Sequence, residues 1–324
     1  MKKKLTFINP VSWGGVLDHT YRLTNYFKYK NKIEIIKIKS EISKQKKNSF
    51  NKSNIIILQY SGYGFSNIGA PFWLLKEINN LKKKNNKIII IFHELYAVSY
   101  YPWKAVFFYQ FLQKYVFKRL LKSSDYALVS TKKHFNKWSK INGIKKTIYL
   151  PTFSNVGEMT KFKYKRDNIL VVFGLSHSRA NTYRKFGTNL FQWAKNNKIL
   201  IIDIGPKIID QDILKNLKFH NVKMLGLLKN KEINKIFNKT KYGLLDYNLE
   251  IVDKSGIFNA YAAYGIIPIM FSERNNFSIV RKNFHYLLSL PKSINKNKHI
   301  SKNIWSWYQK HNLIKSSIKI SNLF

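Results

Sequence analysis

At 324 residues the chain is long enough for two domains with separate cores, and 45% hydrophobic with 15% aromatic residues is the composition of a packed protein, not a disordered one. It has no cysteine, which excludes disulfides, zinc–thiolate sites and iron–sulfur clusters. The formal charge of +42 draws a protein to polyphosphates and anionic lipid, yet only seven of the 58 cations are arginine, and the lysines are spread along a chain rich in Asn and Ile, as an AT-rich genome produces.

A first strand is predicted over residues 5–8; the lysines before it carry too short an apolar stretch for a signal peptide. Gly14 and Gly15 make a tight turn, and Val16, Tyr21, Leu23 and Tyr26 then recur at helical spacing. Strand, Gly-Gly loop and helix open many nucleotide-binding folds, although Gly-Gly is commonly just a turn. His19, on the first turn of that helix, is either a cleft residue or a solvated histidine. Strands follow over 33–38 and 55–59, joined by a basic connection. The loop QYSGYGFSNIGAP matches a dinucleotide fingerprint only loosely, because its third glycine comes two residues late and it follows an inner strand.

A helix is expected over 71–81, and KIIIIF at 87–92 reads as a fully buried strand of a parallel sheet. It ends in His93 and Glu94. Ligands bind at the carboxyl ends of strands in open α/β sheets, so this pair is a candidate for a functional role in a cleft, against the alternative of a structural hydrogen-bonding pair. HELYA is not the zincin motif, since the second histidine is missing. Residues 100–121 contain no uninterrupted run of about 20 apolar residues, so a spanning helix is not expected. Trp103, Phe107, Phe108, Phe111 and Tyr115 among Lys104, Lys114, Lys118 and Arg119 suit either an interfacial helix or an aromatic helix packed on its own sheet.

A fifth strand is read over 124–130 and a helix through His134, Phe135 and Trp138; the stretch from 148 to Asp167 then has linker composition. A second alternation begins with ILVVF at 169–173, followed by a loop GLSHSR. Where lysine fills nearly every basic position, a remaining arginine is a candidate for work that needs a planar fork, and Arg179 and Arg184 fall together here, with Lys185 beside them. Strands over 198–204 and 222–227 and a helix over 230–238 come next. Residues 242–245 form a short strand ending in Asp246 and Tyr247. After a polar turn, Lys254, Ser255 and Gly256 open a helix that Gly265 stops, and 266–271 is the last strand. A helix N-terminus with a lysine and a serine is an anion site or an ordinary helix with a serine N-cap. An aromatic basic helix is expected over 304–313.

The segment YGLLDY…KSGIFNAYAAYGIIPI resembles the donor segment of GT-B glycosyltransferases near family 4, and HELYA, LPTFSN and GLSHSR resemble the same group. Those enzymes usually carry a Glu-x7-Glu pair before a small-x-Gly-x-Pro turn. Here the two positions are Val252 and Ala260, which marks a divergent branch. The resemblance implies an α/β GT-B fold of two Rossmann-like, doubly wound domains facing an interdomain cleft: an acceptor-side domain at 1–154, a donor domain at 155–301, and a C-terminal helix within 302–324 packing back on the first. It implies transfer of a sugar from a nucleotide-sugar donor to a cell-envelope glycan or lipid-linked acceptor, with no metal and no cofactor, because basic groups and a helix N-terminus take the charge. Arg179 and Arg184 would contact the diphosphate, Lys254 and Ser255 complete its cradle, Asp246 and Tyr247 hold nucleoside or sugar hydroxyls, and His93 or Glu94 deprotonate or orient the acceptor. Gly14, Gly15 and His19 would form a cleft loop. The expected place is the cytoplasm, with peripheral contact at the inner face of the membrane. The rival readings are a nucleic-acid-binding protein, although no recognition motif is present, a NAD(P)-dependent oxidoreductase, and a catalytically silent relative.

Overall fold

The computed structural model describes residues 4–10, 15–31, 34–39, 54–143, 146–271, 278–294 and 296–324. Gly14 and most of the basic connection between the second and third strands lie outside them. The chain divides into two compact units, one formed by the residues up to Pro151 together with Leu313–Phe324, the other by Thr152–Asn312. The boundaries therefore fall after Pro151 and after Asn312, where 154 and 301 were expected.

The first unit is a six-stranded parallel sheet: β1 (Lys4–Ile8), β2 (Glu34–Lys39), β3 (Ile55–Tyr60), β4 (Lys87–Phe92), β5 (Tyr126–Val129) and β6 (Thr147–Tyr149), in the order β2-β1-β3-β4-β5-β6. Every residue of β3 is buried, and all but the first of β4. Strands covered on both faces read as unbroken runs of Ile, which is why these two were the plainest in the sequence. Helices α1 (Gly15–Asn31), α2 (Gly62–Phe65), α3 (Phe72–Lys83), α4 (Ala105–Ser123) and α5 (Lys132–Asn142) connect them. The core includes a T-shaped stack of Phe92, Phe117 and Trp138, with centroid distances of 5.0 and 4.8 Å.

The second unit has five parallel strands, β7 (Ile169–Phe173), β8 (Leu200–Ile204), β9 (Lys223–Met224), β10 (Tyr242–Asp246) and β11 (Ile267–Phe271), ordered β11-β10-β7-β8-β9. Its helices are α6 (Ser176–Asn196), α7 (Gln211–Phe219), α8 (Asn230–Phe237), α9 (Gly256–Tyr264) and α10 (Lys298–Tyr308), with a 3-10 turn at Leu249–Lys254. β9 is two exposed residues, not six, because pairing with β8 stops at Asp203 and Gly226 turns the chain at φ +67°. Gly265 ends α9 in the left-handed conformation, φ 63°, as its position required. The helix expected over 304–313 is two helices. α10 packs on α9, and α11 (Leu313–Ser321) packs on α1, where the Phe324 ring lies 5.4 Å from Phe27.

The largest departure from expectation is α6. GLSHSR is not a loop: the helix starts at Ser176, two residues after Gly174, so Arg179 and Arg184 are helical. Gly187, at φ +57°, kinks the helix; Arg179, Ala180, Thr182 and Tyr183 are buried before the kink and Leu190, Phe191 and Ala194 after it. The polar cluster at its start masked a period that only becomes visible further along.

Candidate functional site

Each sheet reverses its strand order once, between β1 and β3 in the first unit and between β7 and β10 in the second. The crevice at the carboxyl ends of the strands beside such a reversal is where open α/β sheets take ligands.

In the first unit this crevice is lined by polar side chains. His93 leaves β4 half-buried, and its Nε2 lies 2.6 Å from Gln59 Oε1 at the end of β3. An amide oxygen only accepts, so in the neutral ring the proton sits on Nε2 and the lone pair on Nδ1. The Glu94 carboxylate is exposed and accepts a 2.8 Å hydrogen bond from the Ser61 hydroxyl. His19 is neither solvated nor loop-borne. It is buried on α1 with its ring 5.0 Å from that of His93, edge to face. Burial, then the charges of His93 and Arg22, hold its pKa well below the ordinary value, so it is neutral. The buried row of α1 is His19, Thr20, Leu23, Thr24 and Phe27, whereas Tyr21 is exposed. Gly15 opens the helix, with open space where a side chain would be. Asn9, at the end of β1, accepts a 2.8 Å bond from Thr20 Oγ1. The Asn9 and Gln59 side-chain nitrogens are buried without a protein partner. Sequence reasoning missed both residues. The signal was a polar residue closing each apolar run, LTFIN and IIILQ.

In the second unit the crevice is built from backbone and charge. Gly174 leaves β7 at φ +136°, a backbone conformation that favours glycine, and the Ile257 side chain of α9 lies against it. α6 begins at once, and its N-cap, Leu175, has no side chain to satisfy the first N–H groups. Asp246, at the end of β10, receives Lys185 Nζ at 2.9 Å and donates its own N–H to Thr182 Oγ1 at 3.1 Å. Lys185 also sits 5.2 Å over the Phe271 ring. Tyr247 follows, half-buried. Lys254, half-buried, closes the 3-10 turn ahead of α9.

Three expected contacts are spent elsewhere. Arg179 is 1% exposed; its Nε donates to the Gly174 carbonyl at 2.9 Å, and its two terminal nitrogens bind the Asp203 carboxylate and the Pro206 carbonyl. Tyr183 donates to the other Asp203 oxygen at 3.0 Å. Burial pushes the Asp203 pKa up, with the charge and hydrogen bonds of Arg179 opposing it. With all three of its nitrogens occupied, this arginine is a pillar of the fold. Arg184 points to Asp210, 2.5 Å away, and Asn181, 2.7 Å away. Asp210 and Asp212 have Asp-x-Asp spacing, but Asp210 is the N-cap of α7, accepting from the Ile213 N–H at 3.0 Å. Ser255 is buried, and its hydroxyl caps α9 by accepting from the Phe258 N–H at 3.2 Å. The serine N-cap is what this residue does. Asn259 fixes the turn before α9, donating to the Asp253 and Ser255 carbonyls at 3.0 and 2.9 Å, while its oxygen faces His311 Nε2 at 3.0 Å. Neither Asn259 nor His311 was singled out in the sequence. Val252 and Ala260 are both fully buried.

A basic cavity of about 400 Å3 in the second unit, lined by Arg166, Lys241 and Lys298 among others, lies at the amino ends of β7, β10 and β11. That is the opposite end from the crevice, and the topological argument favours the carboxyl ends. Among the described residues no group of three or more acids and histidines could hold a metal ion, and no helix is long and apolar enough to cross a membrane.

HepE from Anabaena, solved in complex with UDP, matches this structure with a TM-score of 0.60 at 10% identity, over 99% of this chain and 98% of its own. HepE with UDP-glucose matches at 0.58 and 11%, over 98% of each chain. Sucrose-phosphate synthase from Thermosynechococcus elongatus matches at 0.57 and 12%, over 99% and 98%. The chain has the GT-B glycosyltransferase fold. Neither a protein-family model nor a curated protein sequence matches it. In GT-B terms, Lys185 and Asp246 are brought together at the end of β10, and His19 and His93 beside the end of β3. Arg179, Arg184 and the Ser255 hydroxyl are engaged with other parts of the second unit.

Proposed function

We propose that this protein is a glycosyltransferase using a UDP-sugar donor, with the second unit holding the donor and the first supplying the acceptor-side base. The observation that carries this reading is the crevice beside Gly174. There α6 starts without a side-chain N-cap, and further along the same helix Lys185 pairs with Asp246 at the end of β10, in a fold whose full-length neighbour was solved with UDP and UDP-glucose.

The diphosphate lies on the first-turn N–H groups of α6, where the helix dipole favours negative charge. Lys185 and Lys254 supply cations, and Asp246 aims Lys185. Tyr247 meets the nucleoside or sugar hydroxyls. As the bond from the sugar anomeric carbon to the diphosphate oxygen breaks, the electron pair goes to the leaving UDP, and donors fixed in advance stabilise it. The acceptor hydroxyl attacks that carbon and loses its proton to His93, whose lone pair on Nδ1 is set by Gln59. Glu94, exposed and held by Ser61, orients the acceptor. No metal is required for these steps. The acceptor is a cell-envelope glycan or a lipid-linked sugar, and the protein works in the cytoplasm.

A thermal-shift panel tests this. UDP-glucose and UDP-N-acetylglucosamine should raise the Tm more than GDP-mannose or ADP-glucose, with and without EDTA. A shift with NADP and none with any nucleotide sugar, or RNA binding that survives about 200 mM salt, would remove the proposal.

A further inference from the structure

α4 packs on its own sheet, as one of its two sequence readings has it, and leaves its other side exposed. One side packs on the sheet through Gln113, Val116, Phe117, Leu120 and Leu121. The other carries aromatic rings that nothing in the first unit covers. Trp103 is 77% exposed, Phe108 61%, Phe111 62% and Tyr115 51%, and on neighbouring α3 Phe72 is 45% and Trp73 47% exposed. The Phe72 and Tyr115 rings, 6.2 Å apart, join the two helices into one surface. Roughly half of ~200 Å2 for each of six side chains amounts to about 600 Å2, at the upper end of what a monomer leaves in water.

The surface is built, not frayed. The segment leading to Trp103 is fastened to α4: the Ala97 N–H donates to Gln113 Oε1 at 2.7 Å, and the Ser99 N–H and carbonyl bond the Gln110 amide at 3.2 and 3.1 Å. From residue 95 to 124 there is no Asp or Glu, and five cations stand among the rings: Lys104, Lys114, Lys118, Arg119 and Lys122. Along the exposed row the character changes from aromatic at Phe108, Phe111 and Tyr115 to basic at Lys118, Arg119 and Lys122.

We propose that this face of α3 and α4 docks the protein on an anionic phospholipid surface, lying in the interface with its Trp, Phe and Tyr at the headgroup level. Rings of this type favour the boundary between headgroups and acyl chains, and the unopposed cations match lipid phosphate. On α3 the surface also carries Glu77 beside Lys76, and it remains strongly basic overall. This inference stands apart from the sugar-transfer reading, because it uses no residue of either crevice.

The test is flotation of the full chain with vesicles of phosphatidylcholine alone or mixed with phosphatidylglycerol. The parent should bind the mixed vesicles at least about tenfold better, and part of that binding should survive about 0.5 M salt. Phe108→Ser with Phe111→Ser, both exposed, should weaken it about tenfold, and Lys114→Glu with Lys118→Glu should abolish the preference for anionic lipid. The thermal shift given by UDP, measured on the same variants, reports whether the fold and the donor site are intact. No binding to mixed vesicles, or equal binding by the aromatic variant, which would mean charge alone, overturns the proposal. So does a dimer in solution that the aromatic variant dissolves.

Discussion

The two strand reversals share a topology and carry opposite chemistry. Beside β1 and β3 polar side chains fill the crevice, with neutral His19, Gln59 and Asn9 buried around half-buried His93. Beside β7 and β10 the side chains recede, and a glycine, an uncapped helix end and an exposed lysine–aspartate pair remain. A group that must give and take a proton needs a low-dielectric surround that holds its tautomer. A group that must hold a diphosphate needs donors already aimed and room for the ligand. The comparison also separates two uses of arginine: Arg179 is desolvated and fully bonded, so it holds the second unit together and leaves ligand binding to others.

The strongest way to break that separation is Arg179→Met. It would strand Asp203 as a buried charge and should cost about 3–5 kcal/mol in urea denaturation. Arg179→Met with Asp203→Leu should recover much of that loss, as buried pairs replaced by apolar residues do. If Arg179→Met left stability unchanged and raised only the KM for donor, the arginine would be a ligand group after all. Next in size is His93→Ala, which should lower kcat about 100- to 1000-fold, some 3–4 kcal/mol of transition-state stabilisation, with UDP affinity intact. Gln59→Leu should lower kcat less and change the pH profile, since it frees the tautomer without removing the base.

Histidine charge offers a third contrast. His311 is buried against Trp307, Tyr308 and Asn259, and burial pushes its pKa down to about 3. Its folded value lies below the unfolded value of about 6.5, so the unfolded chain binds the proton first. Stability is therefore full above pH 6.5 and falls as the pH drops toward 3, by up to about 1.4 kcal/mol per pH unit from this residue. His311→Gln, which keeps a donor for Asn259, should flatten the slope between pH 6 and about 4.5 in denaturation curves. An unchanged slope would mean that another group sets it.

How much of this was legible in the sequence follows from the range of the forces involved. Local signals were sufficient for the buried strands, for the αL glycine after α9 and for the alternation that implies two sheets. His93 and Asp246 were found because they end apolar runs, and polarity at a strand end is also local. Gln59 and Asn9 end such runs too, but amides carry no charge to draw attention. The fate of Arg179 was not legible, since it depends on Asp203, 24 residues away, and on two carbonyls whose positions only the fold sets. Asn259 and His311 meet across 52 residues for the same reason. Val252 and Ala260, where the resemblance wants carboxylates, are buried in the core. The apolar spelling there agrees with the packing.

Lys185 and Ser255 sharpen the comparison at its finest scale, because both stood near the same proposed anion. Lys185→Ala should weaken donor binding about tenfold, or 1.4 kcal/mol, and leave stability nearly unchanged, because the side chain is exposed and its pair with Asp246 is worth little in water. Ser255→Ala should do the reverse. The Ser255 hydroxyl is buried and accepts from Phe258, so its loss removes an N-cap and costs about 1 kcal/mol of stability, with Ser255→Gly costing only a few tenths. UDP affinity measured by titration should stay within about twofold for both serine variants, since the proposal places the phosphate on the amides of α6 and not on this hydroxyl. A tenfold loss of UDP binding in Ser255→Gly, with its Tm retained, would move the diphosphate from α6 to the start of α9 and return the serine to the site.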